Sequence, residues 1–308
     1  MKNVAILIPY FGAWPRWFDL WLETCRHNPE FDFMFLTDIA EPDLKLPNVH
    51  YHPYTLQEVN RQAEKVLGMP VDIAYPFKVC DFRPAFGEIF QDFIRGYEFW
   101  GWGDIDVLYG DMGAFITHRV LQNYDVISVR EGFLAGELTL MRNWDLVNRL
   151  YKRSADFEEV FTRRESFNFS EKGFFKHKDV DSITHVVHRA EAAGEIKTHL
   201  QTCIRTDRKI KGQPFTYFWK DGKLRDLEAW EDLLMYHFLD NKKRKDYAFE
   251  ARPGDPNGWL VSQDGIAAAP MDFEPKANIG SIVTHRTLDS LRALRRNIDR
   301  LRRQAPNS

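Results

Sequence analysis

Cysteine is scarce in this sequence and gives no pattern. Cys25, Cys80 and Cys203 are the only three in 308 residues. An odd, widely spaced set excludes a disulfide framework and a zinc knuckle, and fits a reducing cytosol. An excess of one charge is also missing. The 42 basic and 45 acidic residues leave a net charge of -3, which gives no ground for nucleic acid as the main partner. Long apolar runs are absent too: no stretch approaches the roughly 20 apolar residues that span a bilayer. The opening Met1-Lys2-Asn3-Val4-Ala5-Ile6-Leu7-Ile8-Pro9 is too short for a signal peptide. The expectation is a cytoplasmic protein, soluble or peripheral on the inner face of the membrane. No Gly-x-Gly-x-x-Gly follows the first apolar run, which argues against a nicotinamide or flavin dinucleotide. The lack of a P-loop argues against ordinary ATP or GTP phosphoryl transfer. Internal repeats and low-complexity runs are also absent.

What the sequence does have is a concentration of aromatics and carboxylates at Phe99-Trp100-Gly101-Trp102-Gly103-Asp104-Ile105-Asp106-Val107-Leu108-Tyr109-Gly110-Asp111. The aromatic run reads as a buried strand, and Asp104 and Asp106 stand at its end. Two carboxylates one residue apart can turn toward one divalent cation. Oxygen ligands suit Mg²⁺ or Mn²⁺, ions that commonly bridge a protein carboxylate and a diphosphate. Gly101, Gly103 and Gly110 are expected to leave room for a ligand at the backbone. The plainer reading is a turn with two solvated aspartates.

The composition, 44% hydrophobic and 28% charged, fits a globular protein with one large or two small cores. Strands are predicted at Val4–Ile8, Phe33–Leu36 and Val49–His52, with a helix over Trp14–Arg26. Thr55-Leu56-Gln57-Glu58 matches a capping box and predicts a helix to Leu67, stopped at Gly68. Asp81 and Pro84 are placed to start a helix over Pro84–Ile94, with Phe86, Ile89, Phe90 and Phe93 inward. Further strands are expected at Asp125–Val129 and Glu137–Met141, and helices at Asn143–Tyr151 and Asp179–Ala193. Residues 154–178 read as an irregular wall around a site. Asp221-Gly222 carries a hairpin signal. Alternating elements predict an α/β domain with a mostly parallel sheet. Ligands then sit outside the carboxyl ends of the strands, where Tyr10 and Phe11, Asp38, and Asp104 with Asp106 all fall.

Two stretches carry a family resemblance. Pro76-Phe77-Lys78-Val79-Cys80-Asp81-Phe82-Arg83-Pro84-Ala85-Phe86-Gly87, followed by the aromatic run into Asp104-Ile105-Asp106, resembles bacterial glycosyltransferases of the GT-A type from surface-polysaccharide clusters. Tyr236-His237-Phe238-Leu239-Asp240-Asn241-Lys242-Lys243-Arg244 resembles the same group's His-Phe followed by basic residues. The likeness covers roughly residues 1–245. It implies a GT-A-like Rossmann-type sheet, a nucleotide-sugar donor and a glycan acceptor that can be lipid-linked. It leaves 246–285 as an irregular linker or extension.

The resemblance also implies roles. Asp104 and Asp106 form the metal-diphosphate motif, and His237 returns as a third metal ligand; the alternative is a satisfied core histidine. Lys242, Lys243 and Arg244 neutralise the departing nucleoside diphosphate, or form a solvated charge run. Arg83 can fork onto phosphate or sugar hydroxyls and Lys78 offers a point charge. Asp81 caps a helix or holds a donor-sugar hydroxyl. Tyr10 and Phe11 flank the base, and Asp38 accepts from a uracil imide N–H; an alternative for the aromatics is core packing. If the reaction inverts configuration, a carboxylate must take the acceptor proton. Glu171 is preferred for this because it lies in the irregular aromatic stretch, and Glu137 is the second candidate.

Two readings from other classes stand beside this one. Asp104-Ile105-Asp106-Val107-Leu108 also resembles the nucleophile motif of haloacid-dehalogenase-type phosphohydrolases, although that motif usually ends a first strand. A non-catalytic saccharide-binding protein could also use so many aromatics. In 286–308, Leu288, Leu291, Leu294, Ile298 and Leu301 recur at helical spacing among seven arginines. That pattern predicts a basic amphipathic helix that packs on protein or lies on an anionic leaflet.

Overall fold

Strand β1 (Val4–Pro9) is buried along almost its whole length, which explains its unbroken apolar sequence: a strand flanked on both sides and covered on both faces has no polar side. The computed structural model describes residues 3–173, 179–207 and 215–276. In chain order β1 is followed by β2 (Phe31–Thr37), β3 (Val49–Pro53) and β4 (Phe99–Gly103). Next come β5 (Val107–Tyr109), β6 (Val126–Ser128), β7 (Leu138–Arg142) and β8 (Thr198–Leu200). Then β9 (Ile204–Thr206), β10 (Thr216–Lys220), β11 (Lys223–Asp226) and β12 (Glu231–Leu233). The last are β13 (Met235–His237), β14 (Ala248–Phe249), β15 (Trp259–Ser262) and β16 (Gly265–Ala268).

The central sheet has the order β3-β2-β1-β4-β7-β6-β8. The chain is therefore an α/β protein, as its alternating pattern predicts, but only part of that sheet is parallel. β1 to β4 run parallel, whereas β7 is antiparallel to both of its neighbours. Side chains alternate between two cores along β1: Ala5 and Leu7 face one, and Val4, Ile6 and Ile8 the other. The first core holds Trp100, Trp102, Phe82, Phe86 and Phe161; the second holds Trp21, Phe33, Phe35 and Tyr109.

Helix α1 (Phe18–Arg26) begins four residues later than expected. Trp14 instead lies in the approach to it and stacks on Phe18 with ring centroids 4.1 Å apart. Helix α2 (Leu56–Leu67) forms as its capping box predicts, with Thr55 and Glu58 bonded reciprocally and Gly68 left-handed at φ 69°. No single helix spans Pro84–Ile94. Short turns at Pro76–Lys78, Val79–Phe82, Arg83–Ala85 and Phe86–Ile89 follow one another instead; Pro84 separates the last two from the turn before them, since it cannot donate to a continuing ladder. The expected inward residues still pack, with Phe86, Ile89 and Phe90 buried. The helix expected over Asn143–Tyr151 is likewise split into Asp145–Asn148 and Leu150–Arg153. That expected over Asp179–Ala193 is shorter, Ile183–Ala192.

The stretch expected to be an irregular linker over 246–285 is a correction. Its first part carries β14, β15 and β16, which join β10–β12 in a six-stranded sheet of order β12-β11-β10-β15-β16-β14. The β10–β11 hairpin turns at Asp221-Gly222, both at positive φ (47° and 78°), as the sequence signal requires. Trp259 is fully buried and stacks on Trp219 at 4.1 Å. The expected boundary at 245 thus falls inside a packed unit. The basic helix expected over 286–308 lies outside the described residues. Among the described residues no helix is long and apolar enough to cross a membrane.

If the 246–269 stretch is part of the fold, Trp259→Ala should cost about 3–5 kcal/mol in urea unfolding. An unchanged midpoint would mean that the stretch is an appendage.

Candidate functional site

β4 ends at Gly103 beside the carboxyl end of β1, and the chain turns through Asp104-Ile105-Asp106 into β5. β5 then leaves the central sheet and pairs with β13, which also pairs with β9. In that small sheet His237 is the register partner of Val107. Strand pairing therefore brings His237 to Asp106 across 131 positions, Nε2 lying 3.0 Å from Oδ2. Asp104, Asp106 and His237 each offer one ligand atom, and all of these lie within 4.8 Å of one another.

The cluster lies in a cleft of about 1280 Å³, bounded by the carboxyl ends of β1 and β4 where an open α/β sheet takes its ligands. Tyr10 and Phe11 line it from the end of β1, with Tyr10 stacked on Trp14. Arg83 reaches it from the broken helical segment. Its guanidinium is 2.5 Å from Asp104 and 3.2 Å from the Gly136 carbonyl, to both of which it donates. Lys242 pairs with Asp106, while Lys243 lines the mouth and lies 3.4 Å from Asp240.

Glu171 lines the same cleft. It packs over Gly136, where a Cβ would come within 2.6 Å of its Oε1, so only glycine leaves it this position. Burial, with the nearby charge of Glu137, pushes the Glu171 carboxyl up to about 7. That value is suited to proton transfer near neutral pH.

Other expectations are not met. Lys78 and Asp81 are completely buried and outside the cleft. Lys78 donates to Asp81, to the Val160 carbonyl at 2.7 Å and to the Glu165 carbonyl at 2.8 Å. Asp81 accepts the N–H groups of Phe167 and Phe169, both at 2.9 Å. The pair is a clasp behind the cleft wall, so neither a phosphate contact nor a sugar contact is open to it. Asp38 lies outside the cleft and accepts the Gly12 N–H at 3.1 Å. Arg244 faces away, paired with Asp246 and donating to the Gln263 carbonyl, where it braces the six-stranded sheet. Gly101 and Gly110 make room for protein rather than ligand. A Cβ at Gly101 would lie 2.2 Å from the Thr139 carbonyl oxygen, and one at Gly110 2.3 Å from that of Leu233. Gly103 lines the cleft, but a Cβ there would also meet protein, 3.2 Å from the Tyr109 hydroxyl and 3.3 Å from Ile6.

Glu137 is also placed differently from expectation. It is buried, its Oε1 lies 3.0 Å from His237 Nδ1, and Arg130 Nε donates to both its oxygens at 3.1 and 3.3 Å. Glu137 lines the cleft, but His237 and Arg130 both engage Oε1, and Arg130 also reaches Oε2. Arg130 and Thr206, also in the cleft, were missed. Arg130 follows a strand end, as the other candidates do, and that position was the available signal. Thr206 is the register partner of His237, a relation that only the pairing reveals.

Charges in the cluster hold one another. Against the effect of burial, Asp106 and Glu137 raise His237 to about 10. Also against burial, His237 and Lys242 hold Asp106 well below the usual carboxylate range, and His237 and Arg130 do the same for Glu137. Burial raises Asp104, outweighing Arg83. The site therefore combines two carboxylates and one imidazole as potential cation ligands, flanking cations, and a separate carboxyl poised near neutrality.

An α/β fold with such a cluster at its strand ends defines a class with a ligand cleft but no unique activity. The chain belongs to a family of unknown function, DUF6625, whose model matches residues 6–264. That span runs past 245 and through β15. No curated protein matches the chain.

The shifts fix how this cluster contributes to stability. The raised His237 contributes fully below its unfolded value of 6.5, and loses that contribution as pH rises through about 10. The depressed Glu137 contributes above its unfolded value of 4.5, and loses this as pH falls. In chelator, the melting-temperature gap between wild type and His237→Asn should be widest between about pH 4.5 and 6.5 and narrow toward pH 10. A gap that grew with alkalinity would contradict the ion-pair description.

Proposed function

We propose that the protein is a GT-A-like, metal-dependent glycosyltransferase that moves a sugar from a nucleotide-sugar donor, UDP being the best candidate nucleotide, to a glycan acceptor in surface-polysaccharide synthesis. The observation that carries the reading is the meeting of Asp104, Asp106 and His237 in one cleft. Two carboxylates suit Mg²⁺ or Mn²⁺, and imidazole is a transition-metal ligand, which favours Mn²⁺. Such an ion, when bound, supplies positive charge for the leaving diphosphate.

The remaining chemistry belongs to the chain's own groups. Tyr10 and Phe11 offer aromatic faces for the base at the end of β1. Lys242 and Lys243 add charge near the diphosphate as it departs, and Arg83 orients Asp104. In an inverting reaction the acceptor oxygen bonds to the anomeric carbon as the anomeric C–O bond to diphosphate breaks. The acceptor's hydroxyl proton passes to Glu171, and the electron pair of the broken bond leaves with the nucleoside diphosphate. A carboxyl raised to about 7 is ionised in a substantial fraction at neutral pH and can take that proton. The resemblance to surface-polysaccharide enzymes implies a cytoplasmic activity, on acceptors that can be lipid-linked.

The haloacid-dehalogenase alternative fits less well. Asp104 follows β4 instead of the first strand, and its carboxylate is engaged by Arg83. Covalent phosphorylation of Asp104 would favour that alternative.

A thermal-shift screen of nucleotide sugars tests the proposal. UDP-sugars should stabilise the protein in Mn²⁺ but much less in chelator, and Asp106→Asn should remove both the Mn²⁺-dependent shift and turnover while the fold persists. Metal-independent binding without any sugar transfer would instead identify a saccharide-binding protein. Glu171→Gln should lower kcat by roughly 10²–10⁴-fold with donor binding nearly unchanged. Retained anomeric configuration, read by NMR, would remove the base role.

A further inference from the structure

Glu137 meets the cluster through two different groups. Its main-chain carbonyl accepts the Asp104 N–H at 3.1 Å, and its side-chain Oε1 lies 3.0 Å from His237 Nδ1. Asp104 directly follows β4 of the central sheet, and His237 ends β13 in the small sheet of β5, β13 and β9. One residue immediately before β7 thus contacts both the segment that carries Asp104 and the strand that carries His237. Arg130, two residues beyond the end of β6, donates to both oxygens of Glu137 and so orients its carboxylate. The preceding residue contributes as well, because the Gly136 carbonyl accepts from Arg83, which holds Asp104.

An imidazole has two nitrogens, and a hydrogen bond at one decides what the other can do. Both ring nitrogens face carboxylates; with Nδ1–H kept by Glu137, a cation that displaces the proton between Nε2 and Asp106 would meet the Nε2 lone pair. A carboxylate behind a ligating histidine fixes both ring orientation and tautomer and makes the nitrogen a stronger donor.

We infer that Glu137, braced by Arg130, is a positioning residue that presents His237 Nε2 to a divalent cation and takes no part in proton transfer from the acceptor. The inference rests on the metal-dependent reading given above and assigns that site a supporting pair. Its consequence is specific: loss of the Glu137 carboxylate acts on metal affinity, and excess metal can compensate.

The test is Mn²⁺ titration of the full chain by calorimetry, with turnover measured at several Mn²⁺ concentrations. Glu137→Ala should weaken Mn²⁺ binding by roughly 10–100-fold. Glu137→Gln, whose amide oxygen still accepts from Nδ1–H, should lose less, and its turnover should recover at saturating Mn²⁺. Arg130→Gln, which leaves Glu137 and His237 in place, should weaken Mn²⁺ by a smaller factor and keeps the test valid if Glu137→Ala does not fold. Wild-type Mn²⁺ affinity in Glu137→Gln and Arg130→Gln would overturn the inference. So would turnover that stays abolished in Glu137→Gln at saturating Mn²⁺, which is the signature of a lost base. If wild type itself binds no Mn²⁺, the metal reading fails first and this inference falls with it.

Discussion

His237 is held at both nitrogens, by Asp106 on one side and Glu137 on the other, and the arrangement of the cleft depends on that double contact. The three residues come from three chain segments whose positions are set by strand register. A buried imidazole between two buried carboxylates is stable only because the charges compensate: burial alone would lower the histidine and raise both acids. Arg130, Lys242 and Arg83 extend the compensation outward. Removing one member leaves an uncompensated buried charge, which costs more than the pair contributed. The cluster therefore acts as a unit, and substitutions within it should not be additive.

Behind the opposite wall the Lys78–Asp81 pair has the complementary task. Segment 160–169 has little regular structure after the helix Phe157–Thr162, yet it must place Asn168 and Glu171 at the cleft. Asp81 takes two of its N–H groups and Lys78 two of its carbonyls. Phe161 stacks on Phe82 at 4.2 Å, and Phe167 and Phe169 are buried beside it. A wall that is mostly irregular beyond Thr162 is thus braced by one fully desolvated ion pair and a cluster of four phenyl rings. That explains why these polar residues stand in an otherwise apolar motif, a role quite different from the ligand contact their charge suggested.

How much of this was legible in the sequence depended on whether the signal was local. Alternation and burial in β1, β2 and β4, the Thr55–Glu58 box and the Asp221-Gly222 turn all act within a few residues, and each forms as expected. Asp104 and Asp106 were legible because a strand end forces neighbouring carboxylates into one place. His237 was identified only through the resemblance, since nothing local distinguishes it from a core histidine. The roles of Glu137, Lys78, Asp81, Asp38 and Arg244 were not legible. Arg244 pairs locally with Asp246 and Lys78 with Asp81, but the backbone groups and charges that complete these contacts lie elsewhere in the chain. A charged residue that satisfies a backbone or another charge looks the same in sequence as one awaiting a ligand. The strands at 248–268 were hidden for a related reason: Pro, Gly and Asp between them read as linker, while the pairing of β15 with β10 is long-range.

The central claim is that Asp104, Asp106 and His237 hold a divalent cation which meets the diphosphate of a nucleotide. The most direct measurement is anomalous scattering from crystals of the full chain grown with UDP and Mn²⁺. The account predicts a single strong manganese peak coordinated by His237 Nε2 and by oxygens of Asp104 and Asp106, with diphosphate oxygens completing the shell. A manganese peak elsewhere, or UDP seated in the cleft with His237 still bridging Asp106 and Glu137 and no metal beside it, would contradict it.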